Sequence, residues 1–357
     1  MTKKKSKVFV AMSGGVDSSV AAALLKRAGF GVTGMYMKCW SADDPFGANC
    51  TSTDDERMAR LAAAKIGIPF YSLNFIKEYK EKVVEYLLDG YTKGITPNPD
   101  VICNKEIKFG LFFEKAMELG ADFVATGHYA LVRRSLGEGG RPQLFQAKDR
   151  NKDQSYCLSF IKPEILDRVM FPVGEYAKPE VRALARKFGL PNAERKDSQG
   201  ICFIGKVDFA DFLKQYIPNK RGVIIDTKGN VLGQHEGAFY YTIGQRKGIG
   251  LSGGPYYVVA KDIAKNLLIV SRDENELYKD KVRVTGLNWF AGVPTDTPME
   301  VSAQIRYRQK PAPSTLTIDS RGKTCTLVFK EPQRAVTPGQ LAVLYQGEQM
   351  LAGGIIE

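Results

Sequence analysis

Apolar positions in the first half of the chain follow two alternating rhythms. Residues 8–12 form a short apolar run that enters a glycine-rich turn, and an alanine-rich stretch over 18–27 follows at helical spacing until Gly29. Residues 32–38 read as a second strand, 53–66 as a helix ending at Gly67, and 70–74 as a third strand. A long amphipathic helix is expected over 76–93, a further helix over 104–119 after the proline-rich loop 96–99, and a strand over 122–127. Strands separated by helices predict right-handed crossovers and a doubly wound parallel sheet.

Helical spacing continues through 179–188, and one more helix is expected at 208–216. After that the texture changes to short β-branched runs between Gly, Pro, Asn and Asp: 222–225, 256–260, 267–271, 301–307, 324–329 and 341–345. The fold class predicted is α/β, with a parallel-sheet domain over 1–204, a small central β-rich domain over 205–282 and a C-terminal β-barrel over 283–357.

Composition narrows the class. The 357 residues are 44% hydrophobic and 25% charged, ordinary globular usage that argues against a disordered or fibrous chain. No apolar run approaches the roughly 18 residues of a membrane span, and the lysine-rich start leads into a strand, not a signal-peptide core. A cytoplasmic protein is expected. Six cysteines, none spaced Cys-x-x-Cys, signal neither a disulfide framework nor a metal ribbon, and no resident metal site is predicted. The formal net charge of +12 is spread along the chain, which suits a large anionic partner such as nucleic acid.

The sharpest local signal is Ser13-Gly14-Gly15-Val16-Asp17-Ser18, placed between a strand and a helix. Two glycines let the backbone approach an anion, and a helix N-terminus offers unpaired N–H groups and a positive dipole end. The lysine of a P-loop and the G-x-G-x-x-G of a dinucleotide fold are both missing, and an isolated Gly-Gly is more often a plain tight turn. The complete string resembles the pyrophosphatase loop of enzymes that cleave ATP to AMP and pyrophosphate. That resemblance implies an adenine-nucleotide α-hydrolase-like domain in which Ala11, Met12, Ser13, Gly14, Gly15, Val16, Asp17 and Ser18 hold ATP, bordered by Met37 and Gly127.

Further along, Asn98-Pro99-Asp100 and Cys103 bring a carboxylate and a thiol to the start of an expected helix, where a thiolate is favoured. Structurally, Asp100 or Asn104 also suits a helix cap, and a lone cysteine is most often a small buried hydrophobe. Cys202 lies in the loop Asp197-Ser198-Gln199-Gly200-Ile201-Cys202 at the domain boundary.

Together with Thr126-Gly127-His128-Tyr129, Asn151-Lys152-Asp153-Gln154-Ser155-Tyr156, the segment 241–250 (YTIGQRKGIG), Arg306-Tyr307-Arg308-Gln309 and Thr337-Pro338-Gly339-Gln340, these motifs stand in an order that resembles the tRNA-specific 2-thiouridylase family. The resemblance spans nearly the whole chain. It implies ATP, with Mg²⁺, as cofactor, tRNA as substrate, and a persulfide donor such as a cysteine desulfurase or a sulfur-relay protein as partner. It further implies adenylation of the uracil 2-carbonyl, sulfur transfer from a Cys202 persulfide, Cys103 as second thiol and Asp100 as acid/base. Asn98, Pro99 and Asp100 are implied at the target base, and His128, Lys152, Asp153, Gln154, Arg306, Tyr307 and Gln340 at the tRNA. The main rivals are an amide-forming or lysidine-forming adenylating enzyme, which has no use for a thiol pair, and a non-catalytic RNA-binding protein.

Overall fold

The computed structural model describes residues 5–41, 43–44, 51–134, 141–196, 209–319 and 321–357. Strand β1 (Lys7–Ala11) leads through the glycine turn into helix α1 (Val16–Arg27), which returns the chain to β2 (Gly31–Lys38). Helix α2 (Ser52–Ile66) connects to β3 (Phe70–Asn74). The chain then crosses to the other side of β1, where β4 (Phe123–Thr126) pairs with it. All neighbouring strands of this sheet, order β3-β2-β1-β4 with the short Val169–Met170 beyond, run parallel.

Burial explains the two-sided cover. Along β1, Val8 and Val10, followed by Met12, face one side and pack on Ala22 and Leu25 of α1 and Ala59, Ala62 and Ala63 of α2. Ala11 and the β2 residues Met35 and Met37 face the other side, against Tyr79, Val83, Ile107, Phe112 and Phe212. Period-2 strands between apolar helices can bury both faces only in this sandwich.

The helix expected over 76–93 runs over 76–92 and contains a π-helical turn, Lys80–Val84. The helix expected from 104 starts earlier. Pro99 occupies its first turn and the Asn98 side chain caps it, accepting from the N–H groups of Asp100 (3.1 Å) and Val101 (3.3 Å). It continues as a π-helical stretch, Cys103–Leu111, and then as Phe112–Glu118.

Two further sheets lie among the described residues. One has four strands, Gly222–Asp226, Val231–His235, Tyr257–Asp262 and Leu267–Ser271. The other contains Tyr278–Trp289, Met299–Gln304, Ala312–Ile318, Thr324–Arg334, Leu341–Gln346 and Gln349–Ile356, and a pairing of its first strand with its last closes it into a barrel. A hairpin from early in the chain, Ala130–Arg134 with Pro142–Gln146, extends the barrel sheet beside its last strand. The expected strand over 301–307 stops at Gln304. Arg306, Tyr307 and Arg308 form a turn in which Arg308 has φ +64°, so they are not an exposed strand face.

Candidate active site

In an open parallel sheet, ligands bind beyond the carboxyl ends of the strands, where the strand order reverses. Here the reversal lies between β1 and β4. The glycine turn after β1 and Gly127 after β4 meet at this point. A β-carbon on Gly127 would lie 2.5 Å from Ser18 N, so only glycine lets the β4 end touch the first turn of α1. Gly14 has φ +77°, and a β-carbon there would lie 2.3 Å from the Asp55 carbonyl oxygen.

The N-terminus of α1 has no side-chain cap. Its first N–H groups also have no partner within the helix, which leaves donors for an anion. The turn is internally braced: Ser13 N–H donates to Ser18 Oγ (3.2 Å), and Ser18 Oγ donates to the Gly15 carbonyl (3.2 Å). Asp17 faces sideways, where Lys178 Nζ reaches both carboxylate oxygens (2.7 and 2.8 Å) and the Tyr129 hydroxyl donates to one (2.9 Å). Asp17 therefore ties α1 to the segment that follows β4 and to the helix Lys178–Lys187. Met37 is buried beside Ala11 in the core, and Met12 is buried on the opposite face.

A second group of motifs gathers around residues 96–100. Gln340 Nε2 donates to the Thr96 carbonyl (2.7 Å), and Thr96 N–H donates to the Pro338 carbonyl (2.9 Å). The Thr96 and Thr242 hydroxyls are 3.4 Å apart, which brings in the 241–250 loop. Arg306 donates to the Ala335 carbonyl (3.1 Å), while the Tyr307 ring lies 6.1 Å from that of Tyr156. The Arg308 guanidinium covers the Tyr307 ring at 5.4 Å. Burial raises the Tyr307 phenol above its usual pKa, with smaller contributions that include the nearby Asp100 carboxylate. Asp100 Oδ1 is buried with no hydrogen-bond partner.

Of the residues expected to touch tRNA, His128 is buried and Asp153 and Gln154 are half-buried, each hydrogen-bonded within the fold. His128 is buried between Phe109 and Phe171, its Nδ1 2.7 Å from Thr126 Oγ1, and burial holds its pKa well below the usual value, with Lys108 adding to the effect. Asp153 accepts from Ala147 N–H (2.7 Å) and from the Ser155 hydroxyl (2.7 Å). Gln154 accepts from Tyr129 N–H (3.0 Å), and the adjoining Ser155 and Tyr156 reach Tyr345 and the Leu341 carbonyl. Residues 153–156 thus rivet the barrel to the parallel-sheet domain. Lys152 is half-buried beside them.

Cys103, expected at a helix start, sits one turn inside its helix, with 0% exposure, in the same cluster as Ala11 and Met37. Cys202 lies outside the described residues. Among the described residues no group of three His, Cys, Asp or Glu side chains forms a metal site, and no helix is long and apolar enough to cross a membrane.

Lys178, Tyr129, Asn192 and Arg195 all reach the glycine turn or its helix and were not found from sequence as partners of that loop. Tyr129 had a weak signal, because it follows Gly127. The other three lie more than 150 residues from the loop and carry no local pattern, so only the tertiary fold brings them in.

Comparison with known proteins adds an independent line. Residues 6–206 match the model of the tRNA methyl transferase HUP domain, 210–272 that of the tRNA methyl transferase PRC-barrel domain, and 279–356 that of the aminomethyltransferase beta-barrel domain. The tRNA-specific 2-thiouridylase of Levilactobacillus brevis is 48% identical, over 99% of this chain and 96% of the relative. That of Pediococcus pentosaceus is 48% identical over 99% and 95%, and that of Streptococcus thermophilus 47% over 99% and 95%. The domain models carry methyltransferase names and the full-length relatives carry thiouridylase names; identity near one half across almost the entire length is the more specific of the two. On that likeness, the chain belongs to the family of the tRNA-specific 2-thiouridylases.

Proposed function

We propose that this protein uses ATP to replace the 2-carbonyl oxygen of the wobble uridine of tRNA with sulfur. The observation that carries the thiolation reading is the full-length likeness to relatives named tRNA-specific 2-thiouridylase. The uncapped helix N-terminus at the sheet's switch point supports the nucleotide part.

Chemically, oxide is a poor leaving group. Attack of the uracil O2 on the ATP α-phosphorus releases pyrophosphate and converts that oxygen into part of an AMP leaving group. The N–H groups at the start of α1 would hold the phosphates and stabilise the developing charge. Mg²⁺ would arrive with ATP and neutralise phosphate charge; we assign it no protein ligands. Gly14, Gly15 and Gly127 set the close approach, Ser13 and Ser18 brace the turn, and Asp17 anchors it through Lys178 and Tyr129.

In the sulfur step, the terminal sulfur of a Cys202 persulfide attacks C2 and AMP departs. Cys103 thiolate then attacks Cys202 Sγ, leaving sulfur on the base and a Cys103–Cys202 disulfide that a thiol reductant reopens. Alternatively, Cys103 attacks the persulfide first and frees sulfide. Both routes need the Cys103 helix to open on tRNA binding, since the thiol has no exposed surface in the described conformation. Asp100, with one buried and unpartnered oxygen, serves as acid/base. Asn98, Pro99 and Asp100 are proposed at the target base and His128, Lys152, Asp153, Gln154, Arg306, Tyr307 and Gln340 at the tRNA, with Tyr307 stacking on an unstacked base.

The test is mass analysis of tRNA nucleosides after incubation with ATP, Mg²⁺ and a persulfide source. 2-Thiouridine is expected, with AMP and pyrophosphate released in step. Pyrophosphate release without sulfur incorporation would favour the amide-forming or lysidine-forming rivals, and absence of both would leave an RNA-binding protein.

A further inference from the structure

We infer that Asn192 is a positioning residue for the phosphate site, acting through the peptide planes of the glycine turn. Its side-chain nitrogen lies 2.9 Å from the Gly14 carbonyl oxygen, 3.0 Å from that of Gly15 and 2.9 Å from Ser19 Oγ. Three acceptors around one NH₂ group assign the amide orientation, because Oδ1 in that place would face two carbonyl oxygens.

In a trans peptide the carbonyl of one residue and the N–H of the next point in opposite directions. Holding the Gly14 and Gly15 carbonyls on the Asn192 side therefore turns the N–H groups of Gly15 and Val16 the other way, toward the open end of α1. Two cradle donors are aimed before any ligand arrives, which is the condition for electrostatic preorganisation.

Three details favour this role over simple packing. Asn192 is 2% exposed, yet its Oδ1 has no partner, so the site keeps an unsatisfied buried acceptor in order to place the donor end. The amide is neutral, so it orders the turn without adding a charge beside the phosphates. Arg195, three residues on, donates to the same Gly14 carbonyl (3.3 Å) while pairing with Asp54 (3.0 Å) and Asp55 (2.6 Å), which bridges the turn to α2. Gly15 also keeps the Ser18 and Ser19 hydroxyls as donors, so loss of the amide loosens the turn without dismantling it.

The inference rests on the nucleotide reading proposed above, and calorimetry with inorganic pyrophosphate and ATP separates the two. Asn192→Ala is expected to weaken pyrophosphate and ATP binding about tenfold, the scale of one lost hydrogen bond, while tRNA affinity stays at the wild-type value. A merely structural residue would lower the urea midpoint and leave pyrophosphate affinity alone, and that result overturns the inference. If the alanine variant does not fold, Asn192→Ser, which keeps one donor, is judged by the same criterion. Wild-type protein that binds neither ATP nor pyrophosphate would overturn the nucleotide reading and the inference with it. Wild-type binding matched by the variant overturns the inference alone.

Discussion

Replacing Gly127 with alanine places one methyl group in the contact between β4 and the first turn of α1. The new carbon would lie 2.5 Å from Ser18 N, 2.7 Å from Asp17 C and 2.8 Å from Ser18 Cα, whereas ordinary contact begins near 3.4 Å. All three neighbours are backbone, so no side-chain rotation relieves the clash, and one element must retreat by about 0.9 Å. Helix α1 has little freedom to do so, because Ser19, Val20, Ala21 and Ala22 are fully buried.

Overpacking of this kind costs about 1–3 kcal/mol, offset by the roughly 0.4–1 kcal/mol that Gly→Ala recovers by restricting the unfolded chain. The net loss is small against a typical stability of about 5–15 kcal/mol, so the variant should fold. Catalysis is more sensitive, since a misplacement near 1 Å can cost on the order of 10²-fold in rate. Single-turnover pyrophosphate release in the presence of tRNA and saturating ATP is the assay, with urea denaturation and tRNA binding alongside. Gly127→Ala should release pyrophosphate about 10²-fold more slowly while tRNA affinity is unchanged. Release at the wild-type rate with wild-type ATP affinity would refute the claim that this close approach shapes the nucleotide site.

Lys178→Ala leaves the part-exposed Asp17 carboxylate with only the Tyr129 hydroxyl among its described side-chain donors, and should cost about 1–3 kcal/mol in urea titration, less if solvent reaches the carboxylate. Burial depresses the pKa of His235 and holds that of His128 well below the usual value, so folded His128 stays neutral while the unfolded chain takes up a proton near pH 6.5. Stability should thus be level well above pH 6.5 and fall increasingly as pH drops through 6.5 toward 5.5, by at most about 1.4 kcal/mol per pH unit from His128; stability that rises on acidification in that window contradicts the burial argument. tRNA affinity should fall with salt at about 0.7–0.9 log units per tenfold salt for each phosphate neutralised, and a flat dependence would detach the +12 charge from the substrate. Cys103, fully buried, should react with iodoacetamide far more slowly in free protein than in urea, as read by peptide mapping.

Much of this protein was determined locally and is legible in its sequence. The alternation of Val8, Val10 and Met12 with Phe9 and Ala11 demands a strand covered on both faces, and the spacing of Ala22, Leu25, Ala59, Ala62 and Ala63 supplies the helices that cover one of them. The Gly14-Gly15 turn at a strand-to-helix junction is likewise local chemistry, since glycine adopts φ +77° without strain.

What decided the rest is long-range packing, which carries no period and no short motif. Pro99 and the Asn98 cap start the helix ahead of Cys103, and packing against the sheet buries a thiol that the same letters allowed either as a reactive thiolate at a helix start or as a small core residue. His128, Asp153 and Gln154 look like surface polar residues in sequence, yet each is consumed by partners that only folding supplies. The same holds for Asn192, whose amide meets Gly14 across 178 positions: hydrogen-bond pairing at that distance follows from how the layers stack, and no local pattern encodes it.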